Sequence, residues 1–170
     1  VILIQSFSKT YAMTGWRLGY LAADARWIAP MRLVLQQMSR GPARFVQRAG
    51  IAALREAGAE VAAMRAEYAA RRDEVATALS GVPRADVILP GGGFFALVDV
   101  SALQYPTDAL AQYLLDRHEV AVMPGSAYGP AGEGLLRVSF AVDRASLREG
   151  LSRLAAGLTA LALDGPPAVS

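Results

Sequence analysis

The chain has 170 residues, of which 54% are hydrophobic and 19% charged, with a formal net charge of +2. This is ample apolar material for one sizeable domain or two small lobes, and it excludes a disordered chain. The basic residues are dispersed as single arginines and one Arg71-Arg72 pair, which argues against nucleic acid or an anionic membrane as main partner. No cysteine and a single histidine, His118, exclude a disulfide scaffold, a thiolate zinc site and a multi-histidine metal site.

The chain starts on the strand-like run Val1-Ile2-Leu3-Ile4, and a hydrophobic strand with nothing before it points to a fragment. Strands are expected over residues 1 to 5 and 18 to 23. Trp27, Met31, Leu35 and Met38 fall at helical spacing, and a second helix is expected over 43 to 56. A longer helix over 59 to 80 carries Val61, Met64, Tyr68, Val75 and Leu79 on one face and pairs Glu67 with Arg71. Gly81-Val82-Pro83 ends it. Pro90-Gly91-Gly92-Gly93 is a turn between short strands at 86 to 89 and 94 to 100, not a phosphate loop, because no P-loop lysine follows. Thr107 can cap a helix reaching His118, whose place near a helix C-terminus suits a dipole contact or solvent exposure.

Val120 to Met123 then reads as a strand closed by Pro124-Gly125, and 135 to 141 as another. Asp143 caps a last helix whose Leu147, Leu151, Leu154, Leu158 and Leu161 form a core stripe. The start of the chain thus resembles the end of an α/β sheet, and residues from 84 on a small α+β lobe. The expected parts are 1–58, a connecting helix at 59–83, a small domain at 84–164 and a frayed tail at 165–170. No apolar stretch approaches the ~20 residues of a membrane span, and no charged and apolar leader opens the chain, so a cytoplasmic protein is expected.

Lys9 is the only lysine, against sixteen arginines. A guanidinium stays protonated, whereas an ε-amine can lose its proton, attack a carbonyl and form a Schiff base. Ser6 and Lys9 spell S-x-x-K, but a serine-nucleophile site of the β-lactamase kind needs a second lysine in a K-T-G strand, which this chain lacks.

The full string Ser6-Phe7-Ser8-Lys9-Thr10-Tyr11-Ala12-Met13-Thr14-Gly15-Trp16-Arg17-Leu18-Gly19-Tyr20 resembles the cofactor-lysine segment of the class I and II aminotransferases, fold-type I enzymes that use pyridoxal 5′-phosphate. The resemblance implies that Lys9 forms the Schiff base with the cofactor and that Ser6 and Arg17 hold its phosphate, with Ser8 a lesser candidate. A phosphate dianion suits a planar guanidinium and a short hydroxyl. Gly92-Gly93-Phe94-Phe95, Val122-Met123-Pro124-Gly125-Ser126-Ala127-Tyr128 and Leu136-Arg137-Val138-Ser139-Phe140 resemble the small-domain segments of the same family. There, the arginine at the place of Arg137 binds the substrate α-carboxylate. Trp16 is expected to pack, and Tyr11 has no assigned role.

The resemblance covers about the last two fifths of a typical member: the end of the large domain, the connecting helix and the small domain. It implies transamination between an amino acid and a 2-oxo acid, in a homodimer. The aspartate that pairs with the pyridine nitrogen and the ring that stacks on the cofactor would lie upstream, so the isolated chain is expected to be inactive. A lyase or acyl-transferring synthase of the same fold, and the aminotransferase-like effector domain of a transcription regulator, remain open.

Overall fold

The computed structural model describes residues 1–165, so the tail expected from 165 onward lies, apart from Gly165, outside the described residues. The chain divides into two compact units, Val1–Arg65 and the residues from Ala66 on.

In the first unit, β1 (Leu3–Ser6) and β2 (Gly19–Ala22) form an antiparallel pair in which Ser6 faces Gly19 and Gln5 faces Tyr20. Between them lie the single-turn α1 (Phe7–Thr10) and a 3-10 turn at Thr14–Trp16. Helix α2 (Ala25–Met38) starts at Asp24, whose Oδ1 accepts the Arg26 N–H at 3.0 Å. Helix α3 (Arg44–Glu56) follows. The small core here is Phe7, Met13, Leu18 and Val46, with Tyr11, Ala49 and Ala53 packed against it. Gly50 lets α3 come close to the hairpin, because a Cβ there would collide with Leu18 Cδ2 and lie 3.5 Å from Phe7 Cζ. Trp16, expected to pack, is 44% exposed. Tyr11, without a role in the sequence, rests on Phe7 with ring centroids 5.3 Å apart.

Helix α4 (Gly58–Leu79) runs through the dividing line, and Val75 and Leu79 enter the core of the second unit. That unit is built on an antiparallel sheet of order β3-β4-β6-β5, with β3 Asp86–Ile88, β4 Phe95–Asp99, β5 Met123–Pro124 and β6 Leu135–Ser139. Helix α5 (Thr107–His118) lies between β4 and β5 in sequence, and α6 (Arg144–Asp164) closes the chain. Burial alternates along β4 and β6: Ala96, Val98, Leu136 and Val138 are buried, whereas Phe95, Leu97 and Arg137 are only partly so. The buried set joins the α6 stripe Leu147, Leu151, Leu154, Leu158 and Leu161 in one core, as the leucine spacing required.

Three local expectations change. The strand expected at 120 to 123 shrinks to Met123–Pro124, because only these two residues pair with β6, opposite Arg137 and Leu136. Thr107 does not cap α5 with its own side chain. It is the first residue of the helix, fully buried, and its N–H and Oγ1 both donate to the carboxylate of Glu133. His118 does end α5, but it is half-buried, with Nε2 3.1 Å from the Tyr113 hydroxyl and its ring against Gly157 of α6.

An ion network ties the two longest helices together. Glu67 accepts from Arg71 Nε at 2.8 Å and from Arg144 at 2.7 and 2.9 Å; Glu74 accepts from Arg144 at 3.0 Å and from Arg148 at 2.9 Å. The hydrogen bonds from Arg144 and Arg71 hold the Glu67 carboxyl well below the usual carboxylate range, at about 2.

Candidate active site

The first unit presents the lysine segment as a loop pinched at its base. Phe7 N–H donates to Leu18 O at 3.1 Å, and both side chains are buried, so the loop is anchored by the same two residues that form its small core. Ser6, Lys9 and Arg17 alternate with these anchors and are exposed. Ser6 is the N-cap of α1: its Oγ accepts the Ser8 N–H at 3.0 Å, which leaves the hydroxyl proton for another acceptor. Lys9 follows in the single turn of α1, and Ser8 beside it is half-buried.

Thr14 braces the loop from within, its hydroxyl donating to Ser8 O at 3.0 Å, while Arg17 NH1 donates to Thr14 O at 3.1 Å. Arg17 adopts a left-handed backbone with φ of 51°, and Ala12 does so with φ of 53°. Such backbone costs a residue with a Cβ about 1 kcal/mol. The chemistry of the donor set suits a phosphate bearing an aldehyde: a guanidinium using one of its N–H groups internally, two serine hydroxyls and the only primary side-chain amine.

In the second unit, Arg137 sits on the half-open face of the sheet, paired with Leu97 of β4 on one side and Met123 of β5 on the other. No carboxylate among the described residues lies within salt-bridge distance of it, and its Nε is buried without a hydrogen-bond partner. Leaving this nitrogen without an acceptor is costly, and a guanidinium that no carboxylate pairs calls for an anion at its terminal N–H groups. Two rings meet this guanidinium: Phe95, with its centroid 4.2 Å from Cζ, and Tyr128, at 4.8 Å. Both aromatics lie in the family-like strings of the sequence, which give them no task. The signal available was the period of two, which puts Phe95 and Leu97 on one face.

Among the described residues there is no cluster of three or more acidic or histidine side chains that could hold a metal ion, and no helix is long and apolar enough to cross a membrane.

Comparison with known proteins gives a uniform result. The sequence profile of the aminotransferase class I and II family matches residues 1–154. The chain is 39% identical over 155 residues to an aspartate aminotransferase of Pyrococcus horikoshii, covering 90% of this chain and 40% of that protein. It is 37% identical over 152 residues to an arginine–pyruvate transaminase of Pseudomonas aeruginosa, covering 89% and 39%. Among solved structures, an aromatic aminotransferase from Pyrococcus horikoshii superimposes with a TM-score of 0.87 at 34% identity, over 92% of this chain and 42% of that one. The fold is therefore that of part of a fold-type I transferase, and the chain spans about 40% of the length of the curated relatives it matches.

Proposed function

Because the chain belongs to the class I and II aminotransferases, we propose that it supplies the cofactor-lysine and carboxylate-binding portion of an enzyme that moves an amino group between an amino acid and a 2-oxo acid. The observation that carries this reading is the pinched loop, which exposes the sole lysine together with Ser6 and Arg17 while burying Phe7, Met13 and Leu18 as its anchors.

Pyridoxal 5′-phosphate, the cofactor that the family resemblance implies, supplies when bound an aldehyde that condenses with amines and a ring that accepts an electron pair. Arg17 and the Ser6 hydroxyl would hold its phosphate, the first by charge and directed N–H groups, the second by one hydrogen bond. Ser8 stands next to them as a further donor. Lys9 Nζ would be the covalent anchor, and once displaced by the substrate amine it would carry the α-proton from one carbon to another as a general base and acid. Arg137 would orient the amino acid by donating N–H hydrogen bonds to its α-carboxylate, whose negative charge would balance a guanidinium that no described carboxylate pairs.

The named relatives act on aspartate, arginine and aromatic amino acids, so family membership alone leaves the donor's side chain undetermined. The resemblance implies a homodimer, which light scattering on the complete gene product tests. For the activity, the complete gene product is incubated with pyridoxal phosphate, reduced with borohydride and digested. A phosphopyridoxyl group is expected on Lys9, together with amino transfer to 2-oxo acids by the unreduced protein. Label on another residue, or none, would sink the reading.

A further inference from the structure

Resting on the carboxylate role proposed for Arg137, we infer that Phe95 and Tyr128 are its positioning residues: together they clamp the guanidinium so that a ligand carboxylate is met by the terminal N–H groups. Neither ring is needed to bind a carboxylate by hydrogen bonds. Their centroids nevertheless lie 4.2 and 4.8 Å from Cζ, well within the range at which a cation is held by an aromatic ring. Nε is enclosed and makes no hydrogen bond, so NH1 and NH2 are the donors left for an incoming anion.

The two rings arrive by separate routes, each built rigidly. Phe95 stands on β4 two residues before Leu97, the cross-strand partner of Arg137, which makes it the diagonal neighbour on the same face. Tyr128 ends a 3-10 turn at Gly125–Tyr128, and although it is 59% exposed, its base is tightly constrained. Gly125 and Gly132 cross so closely that a Cβ on either would collide with the other's carbonyl oxygen. Ser126 Oγ donates to Asp108 at 2.9 Å, Gly129 N–H to Ser126 O at 3.0 Å and Gly132 N–H to Gly129 O at 2.9 Å. A surface tyrosine anchored in this way is not held for its own burial. It is aimed at Arg137.

An arginine has several rotatable bonds and loses much of its rotamer freedom when fixed. A clamp that fixes it before the ligand arrives shifts this cost from binding to folding. The consequence is selective: ligands with a planar carboxylate benefit, and neutral isosteres do not.

The test uses the complete gene product with Tyr128→Leu, Phe95→Leu and Tyr128→Phe, each first checked for folding by circular dichroism. Propanoate and propanamide are titrated by ligand-observed NMR, which reads carboxylate binding without turnover. The ring-deleting variants are expected to weaken propanoate about tenfold, the factor equivalent to ~1.4 kcal/mol, while Tyr128→Phe stays within twofold of wild type. Propanamide affinity is expected to be equal in all. With the best amino-acid donor, the same variants are expected to raise KM and leave kcat within about threefold. Equal losses for propanoate and propanamide, or no loss in Tyr128→Leu, would overturn the clamp. Failure of wild type to label Lys9 with propanoate selectivity intact would instead overturn the transamination reading.

Discussion

Glu133 holds Thr107 from twenty-six residues away, with Oε1 accepting the Thr107 N–H at 2.9 Å and Oε2 accepting its hydroxyl at 3.0 Å. The first turn of α5 is thereby capped from the loop that also carries Tyr128. Thr107 is fully buried, so the loss of its hydroxyl partner cannot be made good by water. Glu133→Ala is expected to destabilise the protein by ~1 to 2 kcal/mol, the usual range for removing a side-chain cap. Urea denaturation of wild type and variant checks this, and an unchanged midpoint would show the clasp to be incidental.

Glu67 should make stability depend on pH. Its carboxyl is held at about 2 in the folded protein by Arg144 and Arg71, against ~4.3 for an unperturbed glutamate. A depressed folded pKa contributes stability above the unfolded value and loses it as pH falls through the folded one. The loss from this group therefore falls between pH ~4.3 and about 2. Glu74, Asp99 and Asp143 are also lowered, by hydrogen bonds from Arg148, Ser101 and Ser146, so acid weakens the protein through several groups at once. The difference between wild type and Glu67→Gln isolates one of them. Denaturation midpoints are expected to diverge most above pH 5 and to converge toward pH 2. Parallel curves would contradict the assignment.

Two glycine-to-alanine changes should differ in cost for a reason visible in what each new methyl would meet. At Gly50 the obstacle is mainly the end of the Leu18 side chain, which can turn if the Phe7 cluster yields a little, and overpacking of this kind costs ~1 to 3 kcal/mol. At Gly125 it is the carbonyl of Gly132, a backbone atom of the 3-10 turn Pro130–Gly132 that crosses it. Gly125→Ala is expected to cost ~3 kcal/mol or more, toward the exceptional end for single substitutions. Thermal unfolding of the two variants side by side gives the order, and a reversed order would refute the argument.

Local sequence made the helices legible because helical periodicity is a local property. The leucine stripe from Leu147 to Leu161, the Glu67–Arg71 pair and the cap at Asp143 each depend on residues three to four apart, and all three form. What depended on distant partners was not legible in the same way. The strand expected from Val120 loses its first three residues because only Met123 and Pro124 pair with β6. The sequence offers Thr107 as the α5 cap because nothing near it names Glu133. At the candidate site the pattern repeats. The lysine loop lies in one contiguous string, whereas the meeting of Arg137 with Phe95 and Tyr128 is set by strand register and by two glycines that cross.

Arg17 offers the most direct test of how a phosphate would be held in the first unit. Its left-handed backbone and its single bond to Thr14 O fix the guanidinium at the end of the loop. Lysine in its place would keep the positive charge but offer a point charge in place of a planar fork, losing at least one directed N–H to the phosphate. Hydrogen bonds to charged groups are worth ~1.5 to 3 kcal/mol. Arg17→Lys is therefore expected to weaken pyridoxal phosphate binding by about 10- to 100-fold. Borohydride labelling at saturating cofactor should still mark Lys9, because the covalent anchor is untouched. Cofactor affinity, followed by absorbance during dialysis of the complete gene product, separates the two effects. If Arg17→Lys binds the cofactor as wild type does, the phosphate is held by other residues; if labelling of Lys9 is lost even at saturation, Arg17 maintains the loop itself.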